Sequence, residues 1–79
     1  MRIKIKYFGM IAEWMNCSEQ IVELSIGATV ADVRTYLEKE NQKLSGISYQ
    51  VAVDQKVATL DMVLSEENEI ALLPPFAGG

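Results

Sequence analysis

The strongest constraint on the fold is the strict alternation of side chains in residues 1–9. A period of two indicates a β-strand with one buried face and one face turned to water. The apolar face carries Met1, Ile3, Ile5 and Tyr7, and the other face carries Arg2, Lys4, Lys6 and Phe8. Such a strand is stable only when another layer covers its apolar side, so the sequence predicts a layered domain.

The rest of the chain is predicted to supply further strands and one main helix. Residues 10–20 have apolar side chains at mixed spacing, which favours a loop with one helical turn. Val22, Leu24 and Ile26 alternate and are expected to face inward from a second strand. Alternation and turn signals predict strands over residues 20–26, 48–54, 56–58 and 69–73. This order of elements is typical of an α+β fold in which a helix covers one face of a mixed sheet.

The main helix is predicted to begin at Val30. Thr29 is a favourable N-cap, and Asp32 can return the hydrogen bond as in a capping box. Val30, Val33 and Leu37 recur at helical spacing, so we expect them to pack on the sheet. The helix is expected to end near residues 41–43.

Composition narrows the class of protein. Seventy-nine residues, 49% of them hydrophobic, fit one small domain. A net charge of −4 argues against nucleic acid as a partner, and no apolar run is long enough for a membrane span. The chain has no histidine and one cysteine, Cys17, so a structural zinc site and a histidine-dependent triad are excluded by ligand count. The expected compartment is the cytoplasm.

The sequence closes with Pro74-Pro75-Phe76-Ala77-Gly78-Gly79. We predict a folded domain over residues 1–73 and an extended tail over residues 74–79. Each proline fixes an extended backbone and restricts the residue before it, so the exit from the domain is stiff. The two glycines make the tip thin, and at ~3.3 Å per residue the tail reaches up to ~20 Å. Residues 1–73 show no set of side chains that would support catalysis. The carboxylate of Gly79, at the tip of the tail, is therefore the candidate reactive group.

The tail, the opening strand over residues 3–9 and the helix after Gly27-Ala28-Thr29-Val30 resemble MoaD. MoaD is the sulfur-carrier subunit of molybdopterin synthase, in the MoaD/ThiS group of ubiquitin-like sulfur carriers. The resemblance implies a ubiquitin-like β-grasp fold, with a mixed sheet of four to five strands and one main helix on one face. It also implies that the first and last strands lie side by side and parallel.

The resemblance further implies a function for Gly79, with Gly78 beside it. A MoeB-like enzyme would use ATP to adenylate the Gly79 carboxylate, and sulfur would then replace AMP to give a thiocarboxylate. A MoaE-like large subunit would use that sulfur to convert cyclic pyranopterin monophosphate to molybdopterin. The chain would hold no permanent cofactor and would donate sulfur rather than catalyse. Two alternatives stay open: a ubiquitin-like modifier joined to targets through Gly79, and a ThiS-like carrier for thiamin synthesis.

A partner surface is predicted around the beginning of the tail. Its residues are Phe8, Leu73, Pro74, Pro75, Phe76 and Ala77, with Ala71 beside them and with Arg2, Lys4 and Lys6 as a basic rim. An apolar patch with a polar rim is typical of a binding site. The alternative is that Leu73 belongs to the core and that residues 10–15 cover Phe8. Phe76 departs from the family pattern, in which a small or β-branched residue usually follows the two prolines.

Overall fold

A computed structural model of the protein describes residues 1–75. In this range the chain forms a five-stranded sheet and two α-helices. The strands are β1 (Arg2–Tyr7), β2 (Glu19–Glu23), β3 (Gln50–Val53), β4 (Lys56–Val57) and β5 (Glu69–Leu73). The helices are α1 (Gly9–Met15) and α2 (Val30–Glu40), and a short 3-10 helix follows over Gln42–Gly46.

The sheet is mixed, with the strand order β2-β1-β5-β3-β4. β1 runs antiparallel to β2 and parallel to β5, so that Ile5 lies opposite Ile70. β3 runs antiparallel to both β5 and β4. The predicted parallel pairing of the first and last strands is therefore confirmed, as is the mixed sheet of a β-grasp.

The core lies between α2 and one face of the sheet. Thr29 caps α2 as predicted: its backbone N–H donates to Asp32 Oδ2 at 2.8 Å, and Asp32 N–H donates back to Thr29 Oγ1 at 3.4 Å. Val33 and Leu37 are fully buried, together with Ile5. The other members of the same buried cluster are Ile3, Tyr7, Ile11, Val22, Val30, Leu44, Tyr49, Val51, Val53, Leu64, Ile70 and Leu72.

Two local predictions were wrong. Residues 9–15 form a seven-residue helix rather than a loop with one turn, because Ile11, Trp14 and Met15 share one helix face that packs on the core. β2 ends at Glu23, and Ile26 is 91% exposed rather than inward-facing. The β1–β2 ladder extends to the hydrogen-bonded pair of Met1 and Leu24, so β1 does not hold residue 26 against the core.

No helix in residues 1–75 has both the length and the apolar character that a membrane crossing requires.

Candidate functional site

The tail begins where two central strands end together. β5 finishes at Leu73, and its neighbour β1 finishes at Tyr7, with Tyr7 opposite Leu72 in the parallel register. Pro74 and Pro75 follow directly and lie outside the strand. The beginning of the tail therefore lies beside the start of α1, next to Phe8 and Gly9.

Gly9 lies close to the beginning of the tail. Its φ is +56°, in the left-handed region that favours glycine. A Cβ added at Gly9 would lie 3.1 Å from Pro74 Cγ, closer than ordinary van der Waals contact. Gly9 was not predicted from the sequence as a site residue. Its place after an alternating strand suggests a turn, but nothing local shows that the distant Pro74 packs against it.

The face of the sheet opposite α2, here called the open face, carries the predicted apolar residues. Phe8 is 46% exposed, so residues 10–15 do not cover it. Ala71 and Leu73 are half-buried, whereas their neighbours Ile70 and Leu72 are fully buried. The structure thus brings Phe8, Leu73 and Pro74 to the same end of the sheet and leaves apolar surface accessible there.

The predicted rim includes cations that lie beside acidic side chains. Lys4 Nζ lies 3.0 Å from Glu19 Oε2, and Lys6 Nζ lies 3.4 Å from Glu69 Oε2. The hydrogen bond and charge of Glu19 raise the pKa of Lys4. Two of the three rim cations are therefore paired with acids on neighbouring strands, and the open face is not a basic surface.

Tyr7 lies on the buried side of the same strand end. Its hydroxyl donates to Gln20 Oε1 at 2.7 Å, and burial raises its pKa above the ordinary value of a phenol. The side chain is therefore neutral at physiological pH.

In residues 1–75 no group of three or more cysteine or acidic side chains is placed to hold a metal ion. The remaining predicted site residues, Phe76, Ala77, Gly78 and Gly79, lie outside the described residues.

The sequence of the chain matches a known protein family. The family model described as the ThiS family matches residues 5–79. The molybdopterin synthase sulfur carrier subunit of Mycobacterium tuberculosis is 31% identical over 84 aligned residues, covering 100% of this chain and 99% of that protein.

Two solved structures share this fold. The crystal structure of the small archaeal modifier protein SAMP1 from Haloferax volcanii has a TM-score of 0.85 at 25% identity, with 100% of both chains covered. A chain in the complex of subunits 1 and 2 of the molybdopterin-converting factor from Helicobacter pylori has a TM-score of 0.73 at 22% identity, again with 100% of both chains covered. With its ubiquitin-like β-grasp sheet and a tail that starts beside β1, the chain belongs to the ThiS family, which includes the MoaD-type sulfur carriers.

Proposed function

We propose that this protein is the sulfur carrier of a molybdopterin synthase. In this proposal the carboxylate of Gly79 is adenylated by a MoeB-like enzyme with ATP and converted to a thiocarboxylate. The tail then donates its sulfur within a MoaE-like large subunit, which turns cyclic pyranopterin monophosphate into molybdopterin. The chain carries the reactive group, and its partners supply the active sites.

The observation that carries the proposal is the way the tail leaves the domain. The central parallel pair β1–β5 fixes the position of Leu73 inside the sheet. The next residue, Pro74, lies beside Gly9, and its ring fixes its own φ, which restricts the direction in which the chain leaves the sheet. Pro75 then holds an extended backbone. A rigid exit that leads into two glycines suits a tail that must enter an active site on another protein.

The chemistry explains why the tip carries no side chains. A carboxylate is a poor acyl donor, because oxide is a poor leaving group. Attack of the Gly79 carboxylate on the α-phosphorus of ATP releases pyrophosphate and gives an acyl-adenylate. Attack by a sulfur nucleophile then displaces AMP. Both steps require the tip to reach a narrow site, where a Cβ at residue 78 or 79 would meet the walls.

The accessible apolar surface beside the exit supports a large-subunit partner. Phe8 and Leu73 lie at the same end of the open face as Pro74, so a protein that receives the tail can also bury these side chains. The relative from H. pylori is a complex of two subunits of a molybdopterin-converting factor, which favours the same kind of assembly here.

A second candidate function is that of a ubiquitin-like protein modifier, joined to lysines through Gly79. The similarity to the H. volcanii modifier protein favours it. Adducts that survive reducing denaturation in a cell extract would distinguish it, because a thiocarboxylate carrier forms no isopeptide bond. A carrier for thiamin synthesis shares the thiocarboxylate and differs only in the acceptor of the sulfur.

The test is intact mass spectrometry after incubation with a MoeB-like enzyme, ATP and a sulfur source. We expect a mass gain equal to the exchange of one oxygen for one sulfur, located on Gly79 by fragmentation. The matched control lacks Gly78 and Gly79 and should stay folded without gaining mass. Addition of the large subunit and the pterin precursor should then consume the thiocarboxylate. No gain, with the same enzyme active on a known carrier, would refute the carrier function.

A further inference from the structure

Among residues 1–75, no strand pairs with the outer edge of β2. Met1 N donates to Leu24 O at 2.6 Å, and Leu24 N–H donates to Met1 O at 2.9 Å. At the other end of the ladder, Tyr7 N–H donates to Ser18 O at 2.9 Å. The register between these ends is unbroken, and an antiparallel ladder alternates bonded with non-bonded pairs. The backbone groups of Glu19, Ile21 and Glu23 therefore point away from β1, towards the edge.

This edge is long enough to bind another strand. β2 has five residues, whereas β4 at the opposite edge has two. In the described part of the chain, no backbone–backbone hydrogen bond outside the sheet ladders involves Glu19, Ile21 or Glu23. Ile21 is 53% exposed, and Glu19 and Glu23, which lie on either side of it along the edge, are also exposed. Unpaired strand edges of this kind accept extended peptides, which pair through backbone hydrogen bonds.

The charges on the edge argue against a second copy of this chain as the occupant. An antiparallel two-fold pair centred on Ile21 places Glu19 of one copy opposite Glu23 of the other. A parallel pair brings each acid beside its own counterpart. Like charges that face each other across strands are destabilising, whereas opposite charges and β-branched pairs are stabilising.

We propose that β2 is a docking edge for an extended segment of a partner protein, with alternate side chains that are basic, branched apolar and basic. The two cations pair with Glu19 and Glu23, and the apolar residue packs on Ile21. Glu19 contacts Lys4 through Oε2 at 3.0 Å and can still accept a further hydrogen bond, because a carboxylate has several acceptor positions. The net charge of −4 also attracts a basic segment.

This edge is separate from the exit of the tail. In the strand order β2-β1-β5, β1 lies between the docking edge and the strand that leads into Pro74. A segment bound at β2 therefore leaves the beginning of the tail accessible. The proposal does not depend on the chemistry of Gly79.

The test uses the full chain and a capped heptapeptide, Thr-Lys-Val-Ile-Val-Lys-Thr, which places Lys, Ile and Lys on one face. The control peptide has Glu in place of both Lys. Binding is followed by amide hydrogen exchange and by NMR titration. We expect the amides of Glu19, Ile21 and Glu23 to gain protection on binding. Those of Gln20 and Val22, which already face β1, should change little.

A pair of variants separates backbone pairing from side-chain contact. Ile21→Pro removes an outward N–H while sparing the ladder with β1, which is the position at which an edge strand tolerates proline. Ile21→Thr keeps that N–H and the branched shape. We expect Ile21→Pro to weaken binding of the Lys peptide about ten-fold relative to Ile21→Thr. Equal affinities, equal binding of the Glu peptide, or self-association that protects the same three amides would overturn the proposal.

Discussion

Replacing Gly9 by alanine should damage the delivery of the tail more than it damages the fold. An alanine in the left-handed region costs about 1–2 kcal/mol, and the loss of freedom in the unfolded state offsets about 0.4–1 kcal/mol. We therefore expect the free energy of unfolding to fall by about 1 kcal/mol, which leaves a stable domain folded. The new Cβ would also lie 3.1 Å from Pro74 Cγ, so Pro74 must move by a few tenths of an ångström.

That movement occurs at the start of the tail. A displacement of about 1 Å in a reacting group can cost about 100-fold in rate, so a smaller shift at Pro74 should slow thiocarboxylate formation about ten-fold. The assay is a time course of intact mass with the adenylating enzyme, ATP and a sulfur source. Urea unfolding, measured in parallel, gives the change in the free energy of unfolding for each variant.

Two glycines provide matched controls. Gly27 also has a left-handed φ, of +92°, but a Cβ there meets nothing within 4 Å, so Gly27→Ala introduces strain without moving the tail. Gly46 has open space and ends the 3-10 helix, so Gly46→Ala should be neutral or slightly stabilising. If Gly9→Ala slows the reaction no more than Gly27→Ala does, the contact with Pro74 does not orient the tail.

Three further predictions concern the open face, the helix cap and alkaline stability. Phe8→Asp should leave the fold intact, because the side chain is 46% exposed, and should weaken binding to a MoaE-like subunit about ten-fold; unchanged affinity by calorimetry would contradict this. Thr29→Ala should lower the free energy of unfolding in urea by about 1 kcal/mol, because Asp32 N–H loses its acceptor Thr29 Oγ1, while the bond from the backbone N–H of residue 29 to Asp32 Oδ2 remains; an unchanged value would show that the Thr29 hydroxyl contributes nothing. Burial raises the pKa of Tyr7 and of Tyr49, so as the pH rises these hydroxyls lose their protons in the unfolded chain before they do in the folded protein. The free energy of unfolding should therefore fall above about pH 10, by about 1.4 kcal/mol per pH unit for each tyrosine. Tyr7→Phe should remove one of these two contributions. If the free energy of unfolding of that variant falls with pH as steeply as before, Tyr7 does not contribute to the pH dependence.

The parts of the fold with local signals were predictable from the sequence. The alternation of residues 1–9 and the Thr29–Asp32 pair each act within a few residues, and the structure confirms the cap and a strand over Arg2–Tyr7, whereas Gly9 begins α1. The helix α1 was missed because a helix of seven residues has little stability of its own, and α1 depends on packing of Ile11 and Trp14 against the core. The exposure of Ile26 depends on where the ladder with β1 ends.

The candidate site was predictable only where it depends on residues that are close together in the sequence. The motif of residues 74–79 is contiguous and visible in the sequence, and so is Phe8 as an aromatic on a basic face. The contact between Gly9 and Pro74 joins residues that are far apart in the chain, and only the parallel pairing of β1 with β5 brings them together. The pairing of Lys4 with Glu19 likewise follows from the register of β2.

The ion pairs of the open face decide how it can recognise a partner. Lys4 and Lys6 are paired with Glu19 and Glu69 at 3.0 Å and 3.4 Å, and all four side chains remain substantially exposed. Exposed pairs of this kind add little stability, and because each joins one cation to one anion, the two pairs add no net charge to the face. At the end of the face from which the tail departs, the accessible side chains Phe8 and Leu73 are apolar, so a partner bound at that end is held mainly by apolar contact. If the tail enters an active site of a partner as proposed, recognition and delivery of the tail depend on the same contact, so a protein that does not bury this end of the sheet should not receive the tail in a productive position.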